Sequence, residues 1–216
     1  MTAQSRLRTL AVALLPTLLP GAGAMLAGDE PRDLAPHGDF LHSTAGIVLP
    51  ETVGEFRRVA VTQYDAEATN VSAGYLRAAE GGAVWPIWAT VYVYPVREPA
   101  EIDEYFTRLL ADIGRQHGGA QPDFRQHAAL CKGSRVGRYA AFGYEEPFFG
   151  VTLPLRSYVL LYRWQDWWVK WRVTTPASKR DEPIRAMVAL TETLAPPCAI
   201  AEPAGSRSTG PARGAP

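Results

Sequence analysis

The stretch RSYVLLYRWQDWWVKWRVTT, residues 156–175, constrains this chain more than any other. It is rich in aromatic and β-branched residues and has no glycine or proline inside it. That composition favours pleated, half-buried strands over helix. Gln165 and Asp166 are its only break, so it reads as two strands of one hairpin joined by a two- or four-residue loop. Both loops keep the same register. Tyr158, Leu160, Tyr162 and Trp164 then share a face with Trp167, Val169, Trp171 and Val173. The other face carries Ser157, Val159, Leu161 and Arg163 beside Trp168, Lys170, Arg172 and Thr174. The first face reads as core. The second is more polar and reads as a solvated face with long side chains, or as a contact for an anionic ligand through Arg163, Trp168, Lys170 and Arg172.

The remaining sequence surrounds this hairpin with strands and two helices. Arg57–Tyr64 reads as a strand with Val59, Val61 and Gln63 on one face. NVSAGYLRAA follows as its partner, and WPIWATVYVYP as a third strand ended by Pro95. In residues 98–119 the period changes. Ile102, Phe106, Leu109, Leu110 and Ile113 recur at helical spacing, with acidic residues near the start and Gly118 and Gly119 at the end. FRQHAALC and GRYAAFGYEE return to strand character, and EEPFFGVTLP reads as an irregular connection. A second amphipathic helix spans SKRDEPIRAMVALTETLAPP. Its apolar side is Ile184, Met187, Val188, Ala189, Leu190 and Leu194. Runs of strands interrupted by helices predict an α+β fold on a mostly antiparallel, twisted sheet with two main helices.

The termini read differently. Residues 1–24 place Arg6 and Arg8 before an apolar run from Leu7 to Leu19, then the small residues Ala22 and Ala24. This is the order of a secretory signal peptide, and the run is too short for a stable membrane anchor after cleavage. The expected organisation is a signal peptide at 1–24, a flexible lead-in at 25–45, a single domain at 46–198 and a disordered tail at 199–216. The expected localisation is secreted or periplasmic. In such a compartment the chain's two cysteines, Cys131 and Cys198, read as one disulfide closing a long loop, or else as two buried thiols.

Charge and motifs narrow the function. Lysine and arginine number 22, against 22 aspartate and glutamate residues. A chain with no basic excess is a poor partner for nucleic acid. No P-loop, dinucleotide fingerprint, nucleophile elbow or zinc-protease signature occurs. Cys131 near His127 could form a cysteine nucleophile, but in an exported chain a disulfide is the simpler use. His37, His42, His117 and His127 show no metal-site spacing, so no metal and no cofactor are expected. Trp85 and Trp88 are possible anchors for a partner.

GEFRRVAVTQYD, followed by strands, helix, strands and helix, resembles the PsbP/Mog1-like α/β/α sandwich over residues 46–195. The resemblance lies in element order and carries over no functional residue. It implies a non-catalytic scaffold for binding and assembly. The leading expectation is a non-enzymatic exported domain that binds a partner protein or small ligand. The alternatives are an enzyme with its site on the Trp168/Lys170/Arg172 face, and a structural accessory subunit of an envelope complex.

Overall fold

The computed structural model describes residues 30–34, 37–79, 85–98, 100–130, 135–178 and 182–194. The signal-peptide stretch, the tail and both cysteines lie outside the described residues. The strands are β1 (Arg32–Leu34), β2 (Phe40–His42), β3 (Ile47–Leu49), β4 (Thr52–Val53), β5 (Phe56–Gln63), β6 (Val71–Arg77) and β7 (Ile87–Pro95). Helix α1 (Ile102–Gln116) follows, then β8 (Pro122–Leu130), β9 (Arg135–Phe148), β10 (Val151–Trp164), β11 (Trp167–Pro176) and helix α2 (Glu182–Leu194). The main sheet runs β1-β5-β6-β7-β11-β10-β9-β8, with β4 paired to β5, while β2 and β3 form a separate hairpin. Each of these strand pairs is antiparallel.

The aromatic hairpin sits at the centre of this sheet. Its register is the one its alternation predicts: Trp164 opposes Trp167, Tyr162 opposes Val169, Leu160 opposes Trp171 and Tyr158 opposes Val173. The turn is the two-residue one, with Gln165 at φ 50°, a left-handed conformation that a non-glycine residue adopts at some cost. Trp171 is fully buried. It joins Val61, Val71, Tyr75, Val91, Val173 and the α2 residues Ala186, Met187, Leu190 and Leu194 in one core layer. The β2–β3 hairpin covers the same face through Ile47 and Leu49.

Helix α1 covers the other face. Phe106, Leu109, Leu110 and Ile113, the stripe read from spacing, pack on Ala140, Phe142, Val159, Leu161 and Trp168. The helix ends where Gly119, at φ 86°, donates its N–H to the carbonyl of Gly114 at 2.8 Å. The sheet is thus sandwiched between α1 on one side and α2 with the small hairpin on the other.

Four readings differ from the structure. Val59 does not share the face of Val61: a bulge between Arg58 and Ala60 turns Val59 out to solvent. Residues 25–45, read as a flexible lead-in, contribute β1 and β2. They are tied down by Asp33, which accepts from Thr62, and by Arg58, whose guanidinium donates to the carbonyls of Leu49 and Gly38. EEPFFG is a tight hairpin and not an irregular connection. Phe149 and Gly150 both take positive φ, and Pro147 and Pro154 sit within the paired strands on either side. Finally, α2 buries Ala186 and Thr191 with Met187, Leu190 and Leu194, leaving Ile184, Val188 and Ala189 exposed.

Candidate functional site

The face of the sheet that carries Lys170 and Arg172 is assembled by β6, β7, β11, β10 and β9. Register places Thr90 opposite Arg172, Tyr92 opposite Lys170 and Tyr94 opposite Trp168 on β7. It places Val159 and Leu161 opposite Arg172 and Lys170 on β10. This face is not the solvated surface that its charge suggested. Trp168 is 2% exposed, Lys170 8% and Arg172 6%. Trp168 stacks flat on Tyr105 of α1, with centroids 4.7 Å apart, and belongs to the core under that helix. Arg163, at the far end of the face, is exposed and bonds the carbonyl of Gln165 in its own turn. The four residues expected together therefore divide. Trp168 is structural, Arg163 lies at the rim, and Lys170 and Arg172 are a buried cationic pair.

Lys170 holds its Nζ 3.8 Å from the centroid of the Tyr92 ring, a cation–π contact in a desolvated setting. Burial, and then the neighbouring Arg172 charge, push the Lys170 amine down to about 7, against a weaker opposing pull from Asp112. Arg172 donates from Nε to Ser157 Oγ at 2.9 Å, and from Nη2 to His117 Nε2 at 2.6 Å and to the Tyr144 hydroxyl at 2.8 Å. Its Nη1 is buried with no hydrogen-bond partner among the described residues.

His117 completes the arrangement. Its Nε2 faces a guanidinium that can only donate, so this nitrogen accepts. The proton then sits on Nδ1, which donates to Glu146 Oε1 at 2.5 Å. The ring stacks on Tyr144 at 4.1 Å. Burial and Arg172 lower the basicity of His117, with Glu146 opposing, so the imidazole is held neutral. All three acceptors of Arg172 are thus uncharged, and the carboxylate of Glu146 is linked to it only through the His117 ring. The Arg172 charge is solvated by the protein but not neutralised in direct contact.

Two further features border this floor. Trp88 is half-buried and donates its indole N–H to Thr90 Oγ1 at 3.0 Å. Its ring lies against Gly74, where an added Cβ would come within 3.1 Å of it. Phe149, at the β9–β10 turn, stands 6.5 Å from the Trp88 ring. The hairpin thereby brings Glu146 and Phe149 to the same face as Lys170 and Arg172. Trp85, just before β7, is 37% exposed.

Sequence reading missed His117, Glu146, Tyr144 and Tyr92 as neighbours of Arg172. The signal for three of them is cross-strand register, which needs the sheet order. His117 is brought in by the end of α1. Ser157 Oγ is occupied by Arg172 and by Thr174 at 3.1 Å, so it does not present itself as a nucleophile. The arrangement offers donors and aromatic faces, the chemistry of binding an electron-rich group. Among the described residues no three His, Cys, Asp or Glu side chains gather as metal ligands, and no helix is long and apolar enough to cross a membrane.

No protein-family model and no curated protein matches the sequence. Solved structures with a similar fold include PA94 of Pseudomonas aeruginosa, a protein of unknown function described as a candidate regulator. It has a TM-score of 0.50 at 14% identity, covering 64% of this chain and 91% of that one. Mog1p, a Ran-binding protein of Saccharomyces cerevisiae, is similar with a TM-score of 0.40 at 12% identity, over 75% of this chain and 85% of its own. The cyanobacterial PsbP of Synechocystis is similar with a TM-score of 0.37 at 8% identity, over 81% and 96%. These neighbours include a Mog1 and a PsbP, both of the one sandwich fold that the element order resembles. At such identities the likeness concerns the fold alone.

Proposed function

We propose that this chain is an exported, periplasmic binding domain that catalyses no reaction and holds a small ligand on the floor formed by Lys170, Arg172, Tyr92 and Trp88. One observation carries this reading: two cations are buried side by side on this face, and the contacts made by both among the described residues are to neutral groups. Buried charge is costly, and a structural core has no need of it. The basic, apolar and small-residue order of residues 1–24 supports export. Fractionation of cells of its own host, followed by native mass spectrometry of the protein from the fraction that holds it, tests both parts. A retained mass that disappears in Trp88→Ala supports the reading. A bare chain, or a cytoplasmic one that keeps residues 1–24, overturns it.

A second reading, a docking domain for an envelope protein, is favoured by a different observation. The β2–β3 hairpin and α2 cover the same face of the sheet, and each turns apolar side chains to solvent: Leu41 and Val48, a cross-strand pair, and Ile184 and Val188, one helical turn apart. Leu41→Ser with Val188→Ser should then abolish capture of one specific envelope protein while leaving the melting temperature within a few degrees.

A further inference from the structure

We infer that His117 is an acid-released latch on helix α1. Uncharged, its side chain pins the last turn of the helix to the sheet between Arg172 and Glu146. Protonated, it can no longer accept from Arg172, and that turn lifts away about Gly118 and Gly119. The latch goes beyond the binding reading above and needs no ligand.

The end of α1 has little else to hold it. Beyond Ile113 come Gly114, which has no side chain, and then Arg115 and Gln116, which are exposed. His117 is the one buried side chain of this last turn. It stands at the helix C-cap, where its backbone N–H is shared between the carbonyls of Ile113 and Gly114, so moving the ring moves the turn. Directly after it, Gly118 takes φ 64° and Gly119 φ 86°, with open space where a Cβ would stand. Two successive glycines change backbone conformation at low steric cost. The latch is thus followed at once by a hinge.

The hydrogen bonds make the latch sensitive to a single proton. A guanidinium only donates, so the 2.6 Å bond from Arg172 Nη2 to His117 Nε2 uses the lone pair of that nitrogen. A proton from solvent takes the same lone pair and sets an imidazolium against the guanidinium. Nδ1 keeps its bond to Glu146 in both states, and the Glu146 side chain, 38% exposed, can follow the charged ring outward. The groups around the ring favour release. From β11 they are Arg172, with Lys170 two residues along the strand. From β9 they are Tyr144 and Glu146, and from β10 the uncharged Ser157. Asp112 and Arg115 of α1 pair with each other, and Asp123 of β8 pairs with Arg156. Glu146 favours the charged ring, but burial and Arg172 outweigh it and hold the histidine below its ordinary 6.5. The closed latch is therefore fully stable above pH 6.5 and loses stability as pH falls below it. A closed ring that binds no proton and an open ring of ordinary basicity make opening more frequent by up to about tenfold per pH unit, or about thirtyfold at pH 5.

Hydrogen exchange of the purified protein, read by mass spectrometry at pH 7.5 and pH 5 and corrected for the chemical exchange rate, tests this. The amides of residues 114–119 should exchange about tenfold to thirtyfold faster at pH 5, while those of residues 104–112 keep their protection. In His117→Gln the acceleration should vanish, because a carboxamide can both accept from Arg172 and donate to Glu146 without titrating. Equal protection at the two pH values, loss of protection along all of α1 together, or the same acceleration in His117→Gln overturns the latch. If that variant does not fold, nitrogen-15 spectra of the wild-type histidines decide. His117 must carry its proton on Nδ1 at pH 7.5, and the exchange of residues 114–119 must follow its titration. A proton on Nε2, a ring already charged at pH 7.5, or exchange that ignores the titration overturns the latch.

Discussion

Replacing Lys170 by methionine should stabilise this protein, and the pH dependence of the gain is fixed by the site. The side chains are similar in length, and the thioether carries no charge into the layer under α1. A lysine held at about 7 in place of the ordinary 10.5 resists protonation in the folded state by about 5 kcal/mol. Because the folded pKa is depressed, the unfolded chain binds more protons between pH 7 and 10.5. Stability therefore rises with pH through that window, by up to about 1.4 kcal/mol per pH unit. Below pH 7 both states are protonated and the full cost of the buried charge is present. Relief from such a cost by an apolar replacement is typically about 1–4 kcal/mol, which for a domain of this size raises the melting temperature by about 2–4 °C per kcal/mol. Urea unfolding of wild type and Lys170→Met at pH 6 and pH 9, in buffers free of added oxyanions, gives the comparison. The variant should be more stable at pH 6, and the difference should shrink at pH 9. The measurement stays below pH 10 because buried tyrosines such as Tyr94 and Tyr105 hold their protons in the folded state and reverse the slope above it. A variant less stable than wild type at pH 6, or parallel stability curves for the two proteins, would refute the placement of an uncompensated amine in this layer.

Trp171→Ala should cost about 3–5 kcal/mol, since the ring is fully buried against the α2 side of the core, and thermal unfolding reads this as a large drop in melting temperature. Gly114→Ala should destabilise by about 1–3 kcal/mol, although alanine is the better helix former. The new Cβ would meet the backbone carbonyl oxygen of Ala120 at 2.5 Å, which cannot give way. Circular-dichroism melts of the two proteins check the sign. His42 is buried, with Nδ1 accepting from the Ala45 N–H and Nε2 donating to the Thr69 carbonyl, and burial lowers its pKa below 6.5. The folded state therefore loses stability as pH falls below 6.5, and His42→Ala should be less stable at pH 8 by about 1–3 kcal/mol yet show a shallower acid loss in denaturant titrations. Intact mass before and after reduction should differ by two hydrogens, as a Cys131–Cys198 bridge in an exported chain requires. Equal masses, with both thiols free to alkylate, would remove the bridge.

The parts of this fold legible in sequence are those whose information is local. Strict alternation in residues 156–175 set strand faces because a one-residue slip would have turned every tryptophan to the wrong side. The α1 stripe was legible because Phe106, Leu109, Leu110 and Ile113 obey one period. Local information failed where a long-range partner decided the outcome. Val59 fits the alternation of its strand, but a bulge set by pairing with β6 reverses it. Pro147 and Pro154 argue against strand in isolation, yet they are tolerated because each lies beyond the residues that pair with β8 or β11, so its strand is paired there on one side only. Asp39 looks like loop until its carboxylate accepts from the Glu51 N–H.

The candidate site was half legible for the same reason. Sequence put Lys170 and Arg172 on one face with Trp168 and called the face polar. What it could not supply was the fate of that face, since α1 was assigned to a single sheet surface without any local cue as to which one. Once α1 lies over Val159 and Leu161, the alternation that seemed to expose two cations buries them. The sequence around them carries no acidic residue at the positions opposite: Lys170 faces Tyr92 and Leu161, and Arg172 faces Thr90 and Val159. An ordinary structural ion pair would place a carboxylate at one of those four positions. Its absence from the register leaves Ser157, His117 and Tyr144 as the partners of Arg172, so the guanidinium is solvated by neutral groups that only the assembled sheet and the end of α1 bring together.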